Sequence, residues 1–197
     1  MKSTEHVQDA GQFVEWLRLA VHEKVLPASN RVRASASCLA IAQEHHHSIA
    51  LLTEHRLFAS SFALLRAAFE AYVRGMWLFL CASEPQVSRF LNGKEPPKLD
   101  NLLAALEATP GFAENVLSTL KKRHWSAMCA FTHTGGLHVQ RWNTSEAVEP
   151  HYDPKEVAQV LFFAELIGAL AVLGIAEIAQ DEQLATKVLA QLKRRVP

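Results

Sequence analysis

The chain has 197 residues, enough for one domain with a single sizeable hydrophobic core. Hydrophobic residues make up 49% of it and charged residues 20%, which is ordinary globular usage and leaves little room for a disordered tail. The 20 lysines and arginines balance the 20 aspartates and glutamates, so no global positive field favours DNA or an anionic membrane as a partner. Only a local basic patch could attract an anion.

Helical spacing of apolar residues runs through almost the whole sequence, and no stretch alternates between apolar and polar residues. A first helix with an apolar stripe ends near Pro27. Ser29 or Asn30 caps a second helix that runs through His55. The third covers about residues 58–82 and is nearly all apolar, which predicts a central helix packed on several sides.

Five further helices are predicted after breaks such as Asn92-Gly93 and Pro110-Gly111. The first two are short and begin at about residues 83 and 98, and the third runs over about residues 112–133. A loop over 134–152 follows. Asp153 then caps a long helix whose first residue is Pro154, and the last helix covers 181–195.

The long apolar run 157–176 is interrupted by Glu165. A carboxylate near the middle of a lipid-exposed helix is costly, so this run predicts a buried core helix and no membrane span. Three cysteines, an odd number, form no C-x-x-C pair and follow no secretory leader. They favour reduced thiols and a cytoplasmic protein.

These features predict a single all-α domain over residues 1–197, with an N-terminal helix in 1–28 and a bundle core in 29–197. The bundle should contain about seven or eight helices. It offers more apolar helical face than a bundle of this length buries, which predicts a homodimer.

The central helix carries a polar stripe formed by Arg66, Glu70 and Arg74. Their spacing of four residues places them on one face and pairs the carboxylate with both arginines. One interpretation is a structural ion network that fixes the helix register. The other is an arginine-lined pocket for an anionic group such as a phosphate, in which Glu70 orients the guanidinium groups.

The stretch AFTHTGGLHVQRW gathers polar and aromatic groups at a predicted helix end. His133 and His138 flank two glycines that could let the chain turn sharply, so both histidines either cap a helix or serve as catalytic or ligand-binding groups. Arg141 adds a further candidate binding group. Trp125 and Trp142 either belong to the core or form a stacking wall for a planar ligand such as a base. We expect this stretch to close a pocket whose other side is the stripe.

No metal or other cofactor is expected. Glu44 and His47 form one E-x-x-H, a spacing used in di-iron bundles, but the sequence contains no second such motif. The five-residue gap between His133 and His138 matches no recognised metal spacing.

Two segments carry a resemblance. ALLRAAFEAYVRGMWLFL at Ala63–Leu80 and WSAMCAFTHTGG at Trp125–Gly136 resemble an uncharacterised family of bacterial all-helical proteins. That family pairs an R-x-x-x-E helix with a later W-x5-[FY]-x-H-x-G helix end, and the similarity covers about residues 35–190. It is more distantly similar to the HEPN superfamily of helical proteins, many of which are dimeric ribonucleases or nucleotide-binding partners in defence and toxin–antitoxin systems.

The HEPN ribonucleases carry an R-x4-6-H motif at a dimer-facing helix end, and this sequence has no arginine and histidine at that spacing. Two functions therefore remain. One is a non-catalytic binding protein with a buried Arg/Glu/His polar pocket, in a defence or toxin–antitoxin context. The other is a metal-independent enzyme acting on RNA or a nucleotide, with His133 and His138 transferring protons and Arg66 or Arg74 stabilising the phosphorane.

Overall fold

Nine helices make up most of the described residues, 2–112 and 114–195, in the computed structural model, which describes side chains from Val7 onward. In chain order they are α1 (Lys2–Val21), α2 (Asn30–Glu54), α3 (Phe58–Leu80), α4 (Glu84–Leu91), α5 (Leu99–Glu107), α6 (Val116–Thr132), α7 (Gly136–Val139), α8 (Pro154–Ala179) and α9 (Glu182–Arg195). The described ranges contain no strand, so the all-α prediction is confirmed. The sequence predicts one helix fewer, because α7 is a single turn that lies inside the predicted loop.

Both predicted caps are present. The Ser29 hydroxyl accepts a hydrogen bond from the Val32 amide at 3.2 Å, and the Asp153 carboxylate accepts one from the Lys155 amide at 2.8 Å. Each satisfies an amide of the first turn that has no partner inside the helix.

Two predicted helix limits are wrong by several residues. Helix α1 ends at Val21, not near Pro27, and Glu23 then takes a left-handed φ of 57°. Helix α6 begins at Val116, not at residue 112, directly after Asn115 with a φ of 53°. A left-handed residue cannot continue a right-handed helix, and neither residue is the glycine that normally announces one.

The core is built where α2, α3 and α8 meet. Leu39 of α2 is fully buried between two glycines of its neighbours. A Cβ atom at Gly75 of α3 or at Gly174 of α8 would lie 2.9 Å from a carbon of the Leu39 side chain. These glycines therefore set how closely the three helices approach.

Among the described residues, α8 is the one helix that is long and apolar enough to cross a membrane. In its most apolar 18-residue stretch, 72% is buried within the fold. It serves as the core helix that its sequence predicts.

A second apolar cluster lies where α1 and α9 cover α8. Phe13 and Leu17 of α1 pack there against small residues of α8, including Ala169. Arg195 closes this cluster: its guanidinium stacks on Phe13, with Cζ 4.1 Å from the ring centre, and lies 2.9 Å from a carboxylate oxygen of Glu165.

His46 of α2 is buried at the edge of this cluster, 2% exposed, and its Nε2 atom has no hydrogen-bond partner. Its ring meets Phe13 edge-on and lies against the backbone of Gly168, where a Cβ would come within 2.7 Å of the imidazole Cγ. Burial lowers the pKa of His46 to about 3, and the nearby His47 and Arg195 act in the same direction. The ring is therefore neutral in the folded protein.

Candidate functional site

The polar stripe of α3 forms one continuous ion network. The two carboxylate oxygens of Glu70 accept from different arginines, one from Nε of Arg66 at 2.7 Å and the other from Nη2 of Arg74 at 2.5 Å. The Glu70 side chain is only 14% exposed, whereas those of Arg66 and Arg74 are 26% and 34% exposed. One largely buried carboxylate thus holds two partly exposed guanidinium groups on one face of the helix.

The end of α6 brings His133 to this stripe. After His133, Thr134 adopts a left-handed φ of 52°, and the amide of Gly135 donates to the carbonyl of Ala130 at 2.7 Å. The expectation that the glycines make the turn is wrong in detail, because Thr134 makes it. Gly135 has an ordinary φ of −69°. Its lack of a side chain instead lets the backbone pass close to α6, since a Cβ there would lie 3.1 Å from the Ala130 Cα.

His133 Nε2 lies 2.7 Å from Nη1 of Arg66. A guanidinium can only donate, so Nε2 is the acceptor in this contact. The contact joins the end of α6 to the polar stripe of α3.

Trp125 supports the stripe from the side. The Arg66 guanidinium lies over its ring with Cζ 4.7 Å from the centre, and Nζ of Lys121 lies 5.0 Å from the same ring. Trp125 does not line the cleft beside Arg66. Its indole therefore positions Arg66 through a cation–π contact, in place of the ligand-stacking wall that the sequence suggested.

The stripe and His133 line an open cleft of about 610 Å³ between α2, α3, α6 and the segment that follows α4. No sequence pattern links several of the other lining residues to the stripe, and only the packing brings them together, namely Cys38, Ile41, His45, Phe90, Lys94 and Glu95. Among its charged side chains are three permanent cations, Arg66, Arg74 and Lys94, and two carboxylates, Glu70 and Glu95. The cleft is therefore positive overall.

Two of these side chains have shifted proton affinities. Desolvation lowers the pKa of His45, with Glu44 opposing the shift, so its imidazole is held neutral. Desolvation raises the pKa of the Cys38 thiol, and the positive charge of Arg74 opposes that shift. Cys38 therefore stays a neutral thiol at the cleft wall.

The other predicted site residues lie elsewhere. His138 is buried, 7% exposed, with Nδ1 2.9 Å from the Phe131 carbonyl and Nε2 3.2 Å from the Tyr152 hydroxyl. The Trp142 indole also donates to that hydroxyl, at 3.1 Å. The expectation that His138 approaches the stripe is wrong: the α7 turn directs it to the α6 carbonyl and to Tyr152.

Arg141 is also outside the cleft. Its Nε and Nη2 atoms donate to the two carboxylate oxygens of Glu156 at 2.6 and 2.9 Å, which ties the loop after α7 to the start of α8. This hydrogen bond raises the pKa of Arg141 further above its already high value. The Arg141 guanidinium and the Glu156 carboxylate therefore bond to each other as a structural ion pair.

Within residues 2–112 and 114–195, no group of three His, Cys, Asp or Glu side chains is arranged to hold a metal ion. Glu44 and His47 of the E-x-x-H are both exposed on α2, whereas the intervening His46 points into the core.

Comparison with known proteins adds the family but no activity. No curated protein and no solved structure shows significant similarity to the chain. One family model matches residues 39–195 and so includes the whole segment from the stripe of α3 to His133. Its description is a family of unknown function, DUF6988, and the chain belongs to that family.

Proposed function

We propose that this protein is a non-catalytic binding protein whose cleft holds a small ligand through an anionic group, such as a phosphate. The observation that carries the proposal is that Arg66 and Arg74 keep N–H groups without a hydrogen-bond partner in the described chain. Nη2 of Arg66 and both Nε and Nη1 of Arg74 make no hydrogen bond to the described chain. These N–H groups belong to side chains that line the cleft.

The network favours an anion for a second reason. Because Glu70 is bonded to both guanidinium groups, it fixes their orientation and neutralises only one of the two charges. A pre-oriented pair of guanidinium groups loses little side-chain entropy when it binds an oxyanion through two parallel hydrogen bonds. Lys94, which forms no ion pair within the described residues, supplies a third cation to the lining of the cleft.

Inorganic pyrophosphate is a direct probe of this proposal, with its dissociation constant measured by isothermal titration calorimetry. We expect Arg74→Gln to weaken binding about tenfold or more, since it removes the charge but keeps hydrogen-bonding atoms. Arg141→Gln is the matched control, because Arg141 is paired with Glu156 outside the cleft. Absence of pyrophosphate binding, or equal affinity in Arg74→Gln, contradicts the proposal.

A second candidate is metal-independent RNA cleavage of the HEPN-like kind. The contact between Arg66 and His133 favours it, since the two helices supply in space an arginine–histidine pair that the sequence motif lacks. Two observations weigh against it. His138 is unavailable as the second proton carrier, and the Nε2 lone pair of His133 is occupied by Arg66.

An assay with fluorescent single-stranded RNA in the presence of a chelator separates the two functions. The binding proposal expects no cleavage above that of the His133→Ala variant. Cleavage that requires His133 would replace the binding proposal with the catalytic one.

A further inference from the structure

We infer that the ligand of the cleft is an amphiphile, a molecule in which one anionic head group is joined to a hydrocarbon body. The head group binds at the arginine stripe, and the body lies along an uncharged wall beside it. This inference rests on the proposed anion-binding function and adds the part of the ligand that carries no charge.

Helix α3 presents a second line of residues to the cleft, next to the charged one. Ala67 and Ala71 both line the cleft, and each follows a member of the stripe, Arg66 or Glu70, by one position. Their spacing of four residues places the two alanines in a line parallel to the stripe. The helix therefore offers charge along one line and small apolar side chains along the next.

The line of alanines leads to the contact between α3 and α2. Gly75 continues it by four residues, and its carbonyl accepts a hydrogen bond from the Ser35 hydroxyl of α2 at 2.8 Å. The two helices touch at Gly75, whereas the space beside Ala67 and Ala71 belongs to the open cleft. The small alanine side chains leave this space free for a ligand.

Helix α2 supplies the rest of this wall without adding a charge. Cys38, Ile41 and His45 follow one another at spacings of three and four, so they share the helix face that lines the cleft. Desolvation lowers the pKa of the His45 imidazole and raises that of the Cys38 thiol, so both groups are neutral near pH 7. A charged ligand group placed here would lose water and gain no ionic partner.

Ile41 gives this wall apolar surface that a ligand can cover. The residue is 48% exposed although it lines the cleft. Each methylene group that a ligand buries completely against such surface strengthens binding by up to about fourfold. The cleft volume of about 610 Å³ lies within the range of sites that bind organic molecules.

The test is a series of straight-chain carboxylates, acetate, butanoate, hexanoate and octanoate, titrated against the full chain by NMR. We expect the dissociation constant to fall about twofold or more for each added methylene. Hexanol, which has a similar chain and no charge, should bind about tenfold or more weakly than hexanoate. Arg74→Gln should weaken hexanoate binding about tenfold, and unchanged binding in this variant overturns the inference.

Hexyl phosphate distinguishes the two kinds of head group. Tighter binding of hexyl phosphate than of hexanoate assigns a phosphate monoester, and weaker binding assigns a carboxylate.

Ala67→Leu is the diagnostic variant, because it fills the uncharged wall and leaves the arginine stripe unchanged. We expect it to weaken octanoate binding about fivefold or more while pyrophosphate still binds, which also shows that the variant is folded. Ala59→Leu is the matched control, since Ala59 is partly buried on the same helix and lies outside the cleft lining. It should bind octanoate like the wild type.

Two results separate this inference from the function on which it rests. Affinities that do not change with chain length, in a protein that binds pyrophosphate, overturn this inference alone. If neither the carboxylates nor pyrophosphate bind, the anion-binding function falls with it.

Discussion

Acid should destabilise this protein through His46, and the His46→Gln substitution should remove that sensitivity. The imidazole is 2% exposed, and its Nε2 atom has no hydrogen-bond partner. A proton on this ring would place a charge in an apolar site beside the cationic Arg195. The unfolded chain can accept that proton without such a cost.

The magnitude follows from the pKa of the two states. Burial lowers the pKa of His46 from 6.5 to about 3, so the unfolded chain binds the proton more readily than the folded one at any pH between these values. The free energy of unfolding therefore falls as the pH falls from about 6.5 toward 3. Linkage gives a loss of about 2 kcal/mol at pH 5 relative to pH 7.5, from this residue alone.

Urea unfolding followed by circular dichroism, repeated between pH 7.5 and 4.5, measures this loss. The readout is the change in stability with pH, so a constant effect of the glutamine on packing cancels. His55→Gln is the control, because His55 is exposed at the end of the same helix, and it should follow the wild type at each pH. A His46→Gln variant that loses as much stability toward pH 5 as the wild type refutes the reasoning.

Four further outcomes can be checked on the same protein. Gly168→Ala should lower the free energy of unfolding in urea by about 1–3 kcal/mol, because its Cβ meets a buried imidazole. Gly11→Ala, with no atom within 4 Å of the new Cβ, should raise it by about 0.5–1 kcal/mol, and equal effects of the two variants would contradict this reasoning. Thr134→Gly should raise the melting temperature by relieving a β-branched residue at a φ of 52°, while Thr119→Gly inside α6 should lower it. Glu70→Gln should destabilise by about 1–3 kcal/mol, since two guanidinium groups lose their shared acceptor. Sedimentation at micromolar concentration should show a homodimer, and a monomer throughout would contradict that expectation.

The sequence predicted the helices well because their signals are local. Ser29 and Asp153 mark helix starts through side chains that bond to amides two or three residues away, and both bonds are present. The limits that failed depend on left-handed backbone at residues that rarely adopt it. The residue type at Glu23 gives no sign of such a turn. Asparagine adopts left-handed backbone more often than most residues, so Asn115 carried a weak signal that the apolar spacing of the segment outweighed.

The site was predictable to the extent that it lies on helices. Arg66, Glu70 and Arg74 share a face by their spacing alone, and the distance between His133 and Arg66 follows once α6 packs on α3. The placement of His138 was not predictable, because it depends on Tyr152, fourteen residues away across an irregular loop. The cleft residues His45 and Lys94 come from other segments, and no local pattern relates them to the stripe.

The range of the family match gives α1 a particular status. The match begins at residue 39, within α2, so the whole of α1 lies outside it. Yet Phe13 and Leu17 of α1 cover an apolar surface of α8 and α9 that would otherwise face water. A non-helical connection over residues 24–29 joins α1 to α2. The apolar surface that the matched range presents on α8 and α9 is therefore completed by a helix from outside that range.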